Sequence, residues 1–274
     1  MSIFVIDQNT CNKDGICALE CPTGAIEINP ADSFPRPVEN AAQLCISCGH
    51  CVAVCPEGAV SLTNMSPDQC PPVQKELMLS PEAAEHFLRS RRSIRVYKEK
   101  PVEKKLIERL IKIARHAPSG HNLQPVNWHV VHSRSDVTDL CGHVADWMRF
   151  MIKEHPDIAD MMHLDLVVRQ WEDGNDRICR GAPHLILTHA AQKNPMAQAA
   201  CTIALTYLEL AAGPLGLGTC WAGFFNAAAT LWPPMQKALG LPEHHISFGA
   251  MMLGRPKFKY KRLPNRNEPN ITWR

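Results

Sequence analysis

The chain has 274 residues, 45% hydrophobic and 20% charged, which is enough for one large domain or two unequal ones and too apolar for global disorder. A formal net charge of +2 argues against a nucleic-acid binder that relies on a basic surface. That balance hides an asymmetry: residues 1–70 carry eight acidic side chains against two basic ones, and eight of the twelve cysteines, so two modules are expected.

The opening MSIFVIDQ lacks a basic n-region and meets Asp7 after a short apolar run, which predicts neither signal peptide nor membrane anchor and a cytoplasmic location. Ile3–Ile6 reads as a strand, and Ala25–Ile28 as another. Cys11–Ile28 aligns without gaps with Cys45–Leu62 over eighteen positions, matching at three Cys, two Gly, one Pro and one Ala, so the segment is an internal repeat. In a reducing compartment, clustered cysteines point to metal rather than to disulfides. The second copy, Cys45-x2-Cys48-x2-Cys51-x3-Cys55-Pro56, has the spacing of iron–sulfur ligands. Three thiolates two residues apart wrap three corners of a cubane, the short loop donates backbone N–H groups to sulfur, and the remote Cys-Pro closes a fourth corner. The competing reading is a zinc ribbon of two CxxC knuckles, but tetrahedral four-ligand sites leave surplus thiols unexplained.

These residues resemble the two-cluster bacterial ferredoxin family over about residues 1–63. The resemblance implies one cluster on Cys45, Cys48, Cys51 and Cys21, and a second on Cys11, Cys17 and Cys55. Asp14 stands where the other repeat has Cys48. Carboxylate oxygen is a harder donor than thiolate, so the second cluster is expected to be the more labile one, with [3Fe-4S] occupancy open beside [4Fe-4S]. Cys70 is the alternative fourth ligand. A module this small, with little core beyond its clusters, should depend on metal to fold.

Residues 64–79, with Pro67, Pro71 and Pro72, read as a linker. From Ser80 the pattern turns helical: Ser80 is an N-cap, Pro81 the first helical residue, and the helix runs to about Arg89. Pro101–Ala117 is a second amphipathic helix with Leu106, Leu110, Ile113 and Ala114 on its apolar face. Asn127–His132 and Pro183–His189 read as strands, with a mostly helical segment, 137–180, between them. Ala197–Ala212, interrupted by Glu209, reads as a buried helix too short and too rich in small residues to span a membrane. Phe248–Leu253 is the last strand before a basic tail. Alternating signals over about 190 residues imply an α+β domain, or an α/β one, built on one sheet. The assignment adopted is α+β.

Three motifs occur together here: Arg91-Arg92-Ser93-Ile94-Arg95, the loop Ala117–Pro125 (APSGHNLQP), and Gly216–Gly223 (GLGTCWAG). With the tail Tyr260-Lys261-Arg262-Leu263-Pro264 they resemble the FMN-dependent nitroreductase family over residues 80–274, in its subgroup with an N-terminal ferredoxin domain. Taken alone, the RRS run reads as a solvated basic patch and GPLGLG as a helix-ending turn. Cys220, like Cys141, Cys179 and Cys201, reads as a buried thiol. Guanidinium forks and a hydroxyl suit phosphate oxygens, so Arg91, Arg92 and Ser93 are expected at the FMN phosphate, completed by Lys261 and Arg262. Arg95 is expected at the pyrimidine edge, where negative charge accumulates on reduction. The resemblance further implies a homodimer in which Pro118, Ser119 and Asn122 reach FMN from the second subunit. Cys220, Ala222 and Gly223 contribute backbone towards the ring.

The combination implies an oxidoreductase that passes electrons between iron–sulfur clusters and FMN to a nitro, quinone or similar small organic acceptor, with no protein acid or base assigned. The electron source is a low-potential donor protein or NAD(P)H, the former favoured because a built-in wire is redundant beside a docked hydride donor. Two other readings are open: an iron–sulfur/flavin sensor or carrier without turnover, motivated by Asp14, and a flavin domain with atypical chemistry such as dehalogenation, set by segment 137–180 as a lid.

Overall fold

The structure, a computed structural model, describes residues 3–274; Met1 and Ser2, part of the opening segment read above, lie outside them. The chain divides into two compact units. The first runs up to Met78 and takes in Gly120–Leu123, and the second comprises Leu79–Ser119 and Gln124–Arg274.

The first unit contains β1 (Phe4–Ile6), α1 (Ile16–Leu19), β2 (Ile26–Ile28), β3 (Pro35–Pro37), α2 (Ala41–Leu44), α3 (His50–Val54) and β4 (Val60–Leu62). The repeat is realised in the backbone. Lys13 and Ser47, Gly15 and Gly49, and Gly24 and Gly58 occupy the left-handed region at matching places in the two halves. Gly15 and Gly49 are N-caps of α1 and α3, with φ of 73° and 74°, where a Cβ would be strained. Pairing is crossed between the halves: β1 joins β4 and β2 joins β3, both antiparallel. A small core of Phe4, Ile26, Val52, Val60 and Leu62 also contains Cys17 and Cys51. The segment expected as a linker does not leave this unit at residue 64. Met65 bridges Leu62, and Met65 and Cys70 pack on the core.

The second unit contains α4 (Pro81–Ser90), α5 (Lys104–Ala114), β5 (Asn127–Val131), α6 (Arg134–Glu154), α7 (Pro156–Met161), α8 (Leu164–Glu172), β6 (His184–Ala191), α9 (Ala197–Ala212), β7 (Gly218–Trp221), α10 (Gly223–Leu231), α11 (Pro233–Leu239) and β8 (His245–Gly254). One four-stranded antiparallel sheet, ordered β5-β6-β8-β7, forms its centre, which makes the unit α+β. Side chains alternate across a strand, and β6 and β8 are buried on both faces. Leu185, Leu187, Ala250 and Met252 meet α6, α8 and α10 on one side, while Ile186, Met251 and Leu253 meet α5 and α9 on the other. Segment 137–180 supplies Cys141, Val144, Met148 and Leu164 to the first of these cores. Ser80 caps α4 as expected, its Oγ accepting from the Ala83 N–H at 3.2 Å. Along α5 the buried residues are Ile107, Leu110 and Ala114, while Ile113, expected inside, is 41% exposed. GPLGLG ends α9 in a turn, as expected, and β7 starts at its last residue, Gly218. No helix among the described residues is long and apolar enough to cross a membrane.

Candidate functional site

The first unit sorts its ligand candidates into two groups. Cys21, Cys45, Cys48 and Cys51 line one apolar cavity. Burial pushes the Cys51 thiol up to about 11, and the neighbouring thiols of Cys48, Cys45 and Cys21 add to that rise. The Cys17 thiol is also raised, first by burial and then by Cys55, Cys11 and Asp14. The groups that act on each buried thiol are the ligand sets implied by the ferredoxin resemblance, each drawing a member from the other half of the repeat. Crossed strand pairing is what brings Cys21 to the second loop and Cys55 to the first.

Backbone N–H groups already face sulfur. Ala25 donates to Cys21 Sγ and Ala59 to Cys55 Sγ, both at 3.3 Å, and Ser47 donates to Cys45 Sγ at 3.4 Å. Burial opposes ionisation of Cys21, but donors from Thr23, Ala25 and Gly24 outweigh it and lower its pKa. Such donors favour the thiolate that a metal needs, so the residues fit iron–sulfur clusters. Asp14 differs, because its Oδ1 accepts the Ile16 N–H at 3.0 Å and helps start α1. Among the described residues no three His, Cys, Asp or Glu side chains converge as they would on a single ion.

In the second unit, α4 ends at Ser90 and delivers Arg91 and Arg92 to an open cleft of about 500 Å³, shared with Gly218, Thr219, Lys259 and Tyr260. Both arginines also line a neighbouring cleft with Pro264, Asn265 and Arg266. Arg91 Nη1 donates to Glu209 Oε1 at 2.9 Å, an ion pair in which the acid is 6% exposed. Arg92 Nη1 donates to the Arg91 carbonyl at 2.6 Å, while its Nε is buried without a partner. A buried guanidinium N–H left unmet is costly, and an anionic ligand oxygen in the cleft would satisfy it. A phosphate therefore fits these residues. Ser93 is half-buried, and Arg95 is exposed with Nη1 3.5 Å from the Ser93 carbonyl. The segment is pinned to β7 by the Ile94 N–H on the Thr219 carbonyl, 2.8 Å.

Pro118 and Ser119 lie away from this cleft, on a cavity of about 100 Å³ with Trp128 and Ala204. Ser119 Oγ there accepts the Gln124 N–H at 2.9 Å. Asn122 belongs to the first unit, where Nδ2 donates to the Ile46 and Ser47 carbonyls at 3.2 and 3.0 Å. Cys220 is buried. The Ala222 N–H is spent on the Ala250 carbonyl at 2.9 Å, whereas Gly223 opens α10, where a first-turn N–H has no acceptor within the helix. Lys261 and Arg262 are exposed and line neither cleft; Lys259, Tyr260 and Arg266 of the same tail do. Glu209, Thr219 and Lys259 are the site residues that sequence reasoning missed. An acid inside an otherwise apolar helix was the one available signal for Glu209.

Two groups of cysteines in one unit, and a cleft lined by two arginines beside an antiparallel sheet in the other, fit a redox protein with separate cluster and cofactor modules. The Nitroreductase family model matches residues 88–255 and the 4Fe-4S dicluster domain model residues 9–60. The chain belongs to the nitroreductase family, as an oxidoreductase with an N-terminal 4Fe-4S ferredoxin domain. An NADH dehydrogenase of Thermus thermophilus is 30% identical over 198 residues, covering 67% of this chain and 92% of that protein. A polyferredoxin of Methanothermobacter thermautotrophicus is 29% identical over 83 residues, which are 29% of this chain and only 18% of the relative's length. Among solved structures, a nitroreductase with bound FMN from Bacteroides fragilis shares the fold at 21% identity and a TM-score of 0.55, covering 69% of this chain and 98% of that one. A nitroreductase with bound FMN from Desulfitobacterium hafniense does so at 22% and 0.54, covering 70% and 96%.

Proposed function

We propose that this protein is an FMN-dependent oxidoreductase that links one-electron carriers in its first unit to two-electron reduction of a small organic acceptor, a nitro compound or a quinone. The reading is carried by one combination: a chain with two thiolate-rich ligand sets also holds a buried arginine N–H with no acceptor in a cleft suited to a phosphate. FMN, when bound, supplies hydride chemistry and exchange between one- and two-electron partners. Arg92 binds the phosphate through Nε, Arg91 is oriented beside it by Glu209, and Gly223 offers the N–H of a helix N-terminus to the ring. Arg95, exposed and with only Nη1 engaged on the Ser93 carbonyl, offers its remaining guanidinium N–H groups to an edge that gains negative charge. Pro118 and Ser119 form a separate shelf, to be completed by a second copy of the chain.

The electron donor on this reading is a low-potential protein that docks on the first unit, whose residues up to 70 are acidic by six charges. Rapid mixing tests it. A reduced donor protein should bleach the flavin of the wild-type holoprotein and not that of Cys48→Ala. Fast bleaching by NADH or NADPH, with Cys48→Ala turning over a nitroaromatic unimpaired, would overturn the wire. A second reading, a labile-cluster sensor, is favoured by Asp14, a hard donor already committed to the Ile16 N–H. Steady turnover of a quinone or nitroaromatic counts against it.

A further inference from the structure

We infer that Asn122 is a positioning residue for the cluster held by Cys21, Cys45, Cys48 and Cys51, setting that cluster's reduction potential through the Cys45–Cys48 loop. The inference rests on the iron–sulfur reading of the first unit and goes beyond it. Asn122 lies 75 residues from Ser47 in the chain, yet its one amide nitrogen meets two successive carbonyls of the ligand loop, Ile46 at 3.2 Å and Ser47 at 3.0 Å.

Peptide planarity turns this into control over sulfur. The carbonyl of one residue and the N–H of the next point opposite ways on a single rigid plane. Fixing the Ile46 carbonyl on Asn122 therefore fixes the Ser47 N–H on the far side, and there it meets Cys45 Sγ at 3.4 Å. Fixing the Ser47 carbonyl likewise aims the Cys48 N–H away from Asn122. Ser47 needs the help, because it holds φ at 51°, a region costly for a residue with a Cβ. Left to itself, its peptide would readily turn over and withdraw the N–H from sulfur. Hydrogen bonds to the sulfurs are among the main determinants of cluster potential.

The repeat provides an internal comparison. Asn12 and Lys13 are the residues equivalent to Ile46 and Ser47, and Lys13 has the same left-handed backbone, φ 64°. Their neighbourhood is held by bonds within the first copy and the loop that follows it: Asn12 Oδ1 accepts the Asp14 N–H at 3.2 Å, and Lys13 Nζ donates to the Asp32 carbonyl at 2.9 Å. A remote amide clamp on the ligand loop is a feature of the second copy. It gives the two clusters separate settings, so one can be tuned without the other.

Anaerobic redox titration of the full-length holoprotein, followed by EPR, tests the assignment in wild type, Asn122→Ala and Asn122→Gln. Iron and acid-labile sulfide are counted first, since wild-type protein without labile sulfide would sink the cluster reading itself and not this inference. In Asn122→Ala the Cys51-group cluster should become harder to reduce, its reduced-to-oxidised ratio at fixed poise falling about tenfold, equivalent to about 59 mV for a one-electron couple. The Cys17-group cluster should not move. Asn122→Gln, which keeps an amide donor, should recover part of the shift. If Ala abolishes the first cluster while Gln retains it, the positioning role also stands. Unchanged midpoints in both variants, or equal shifts of both clusters, would overturn it.

Discussion

Gly218 opens strand β7 under the Arg91–Arg95 segment, and its replacement by alanine tests whether that segment is held as described. A Cβ built there would stand 2.5 Å from Ile94 Cγ1, 2.8 Å from its Cβ and 2.9 Å from its Cγ2, all below the 3.0 Å that real contacts respect. Reaching the 3.4 Å of ordinary contact requires Ile94 to retreat by about 0.9 Å. It cannot retreat freely, because its N–H is bonded to the Thr219 carbonyl at 2.8 Å. Overpacking of this kind costs about 1–3 kcal/mol. If the strain is relieved by moving Arg92 and Ser93, FMN affinity falls by a factor of roughly 5 to 150. Gly142→Ala, inside α6, is the control. Nothing lies within 4 Å of its Cβ, and it does not line the cleft. That change should stabilise by about 0.5–1 kcal/mol. Fluorescence titration with FMN and urea unfolding by far-UV circular dichroism read both effects. Gly218→Ala and Gly142→Ala with equal stability and equal FMN affinity would refute the close packing of Ile94 as the support of the cleft.

Arg91→Ala should destabilise the second unit by about 3–5 kcal/mol, because it leaves the buried Glu209 carboxylate without its cation; urea midpoints should recover in Arg91→Met/Glu209→Leu, and an equal loss in both variants would contradict the pair's role. His184 is held neutral, its Nε2 accepting the Val102 N–H and its Nδ1 facing the His132 carbonyl, both at 2.7 Å, and burial lowers its pKa below the ordinary 6.5. Its stabilising contribution is therefore complete above pH 6.5 and is lost as pH falls below that value, so urea midpoints should decline from pH 6.5 to 5 in the wild type and decline less in His184→Gln. Asp14→Cys should convert any three-iron EPR signal into a four-iron one; an unchanged spectrum would point to Cys70 as the ligand already in place.

The cluster module was legible because its chemistry is local. Cysteine spacing, paired glycines and Cys-Pro steps lie within eighteen aligned positions, and the backbone repeats them down to the left-handed residues. Helix α9 was legible for the opposite reason, since an apolar run bounded by Gly213-Pro214 needs no partner to be recognised. What escaped depends on distant residues. The Arg91–Glu209 pair spans 118 positions and the Asn122–Ile46 bond 76, separations that no periodicity encodes. Strand β7 hid because Gly218 breaks any strand pattern, and its reason for being glycine is Ile94, far away in sequence. Ile113 read as core from its spacing on α5, but the buried stripe is centred on Ile107, Leu110 and Ala114, which leaves it outside.

The central claim is that thiolate-held iron–sulfur clusters and FMN reside in the same chain. Protein purified without oxygen and assayed for flavin, iron, zinc and acid-labile sulfide tests it most directly. Flavin close to equimolar with the chain, and iron and sulfide in near-equal amounts, are the predicted result. Colourless protein, or zinc with no labile sulfide, would contradict it.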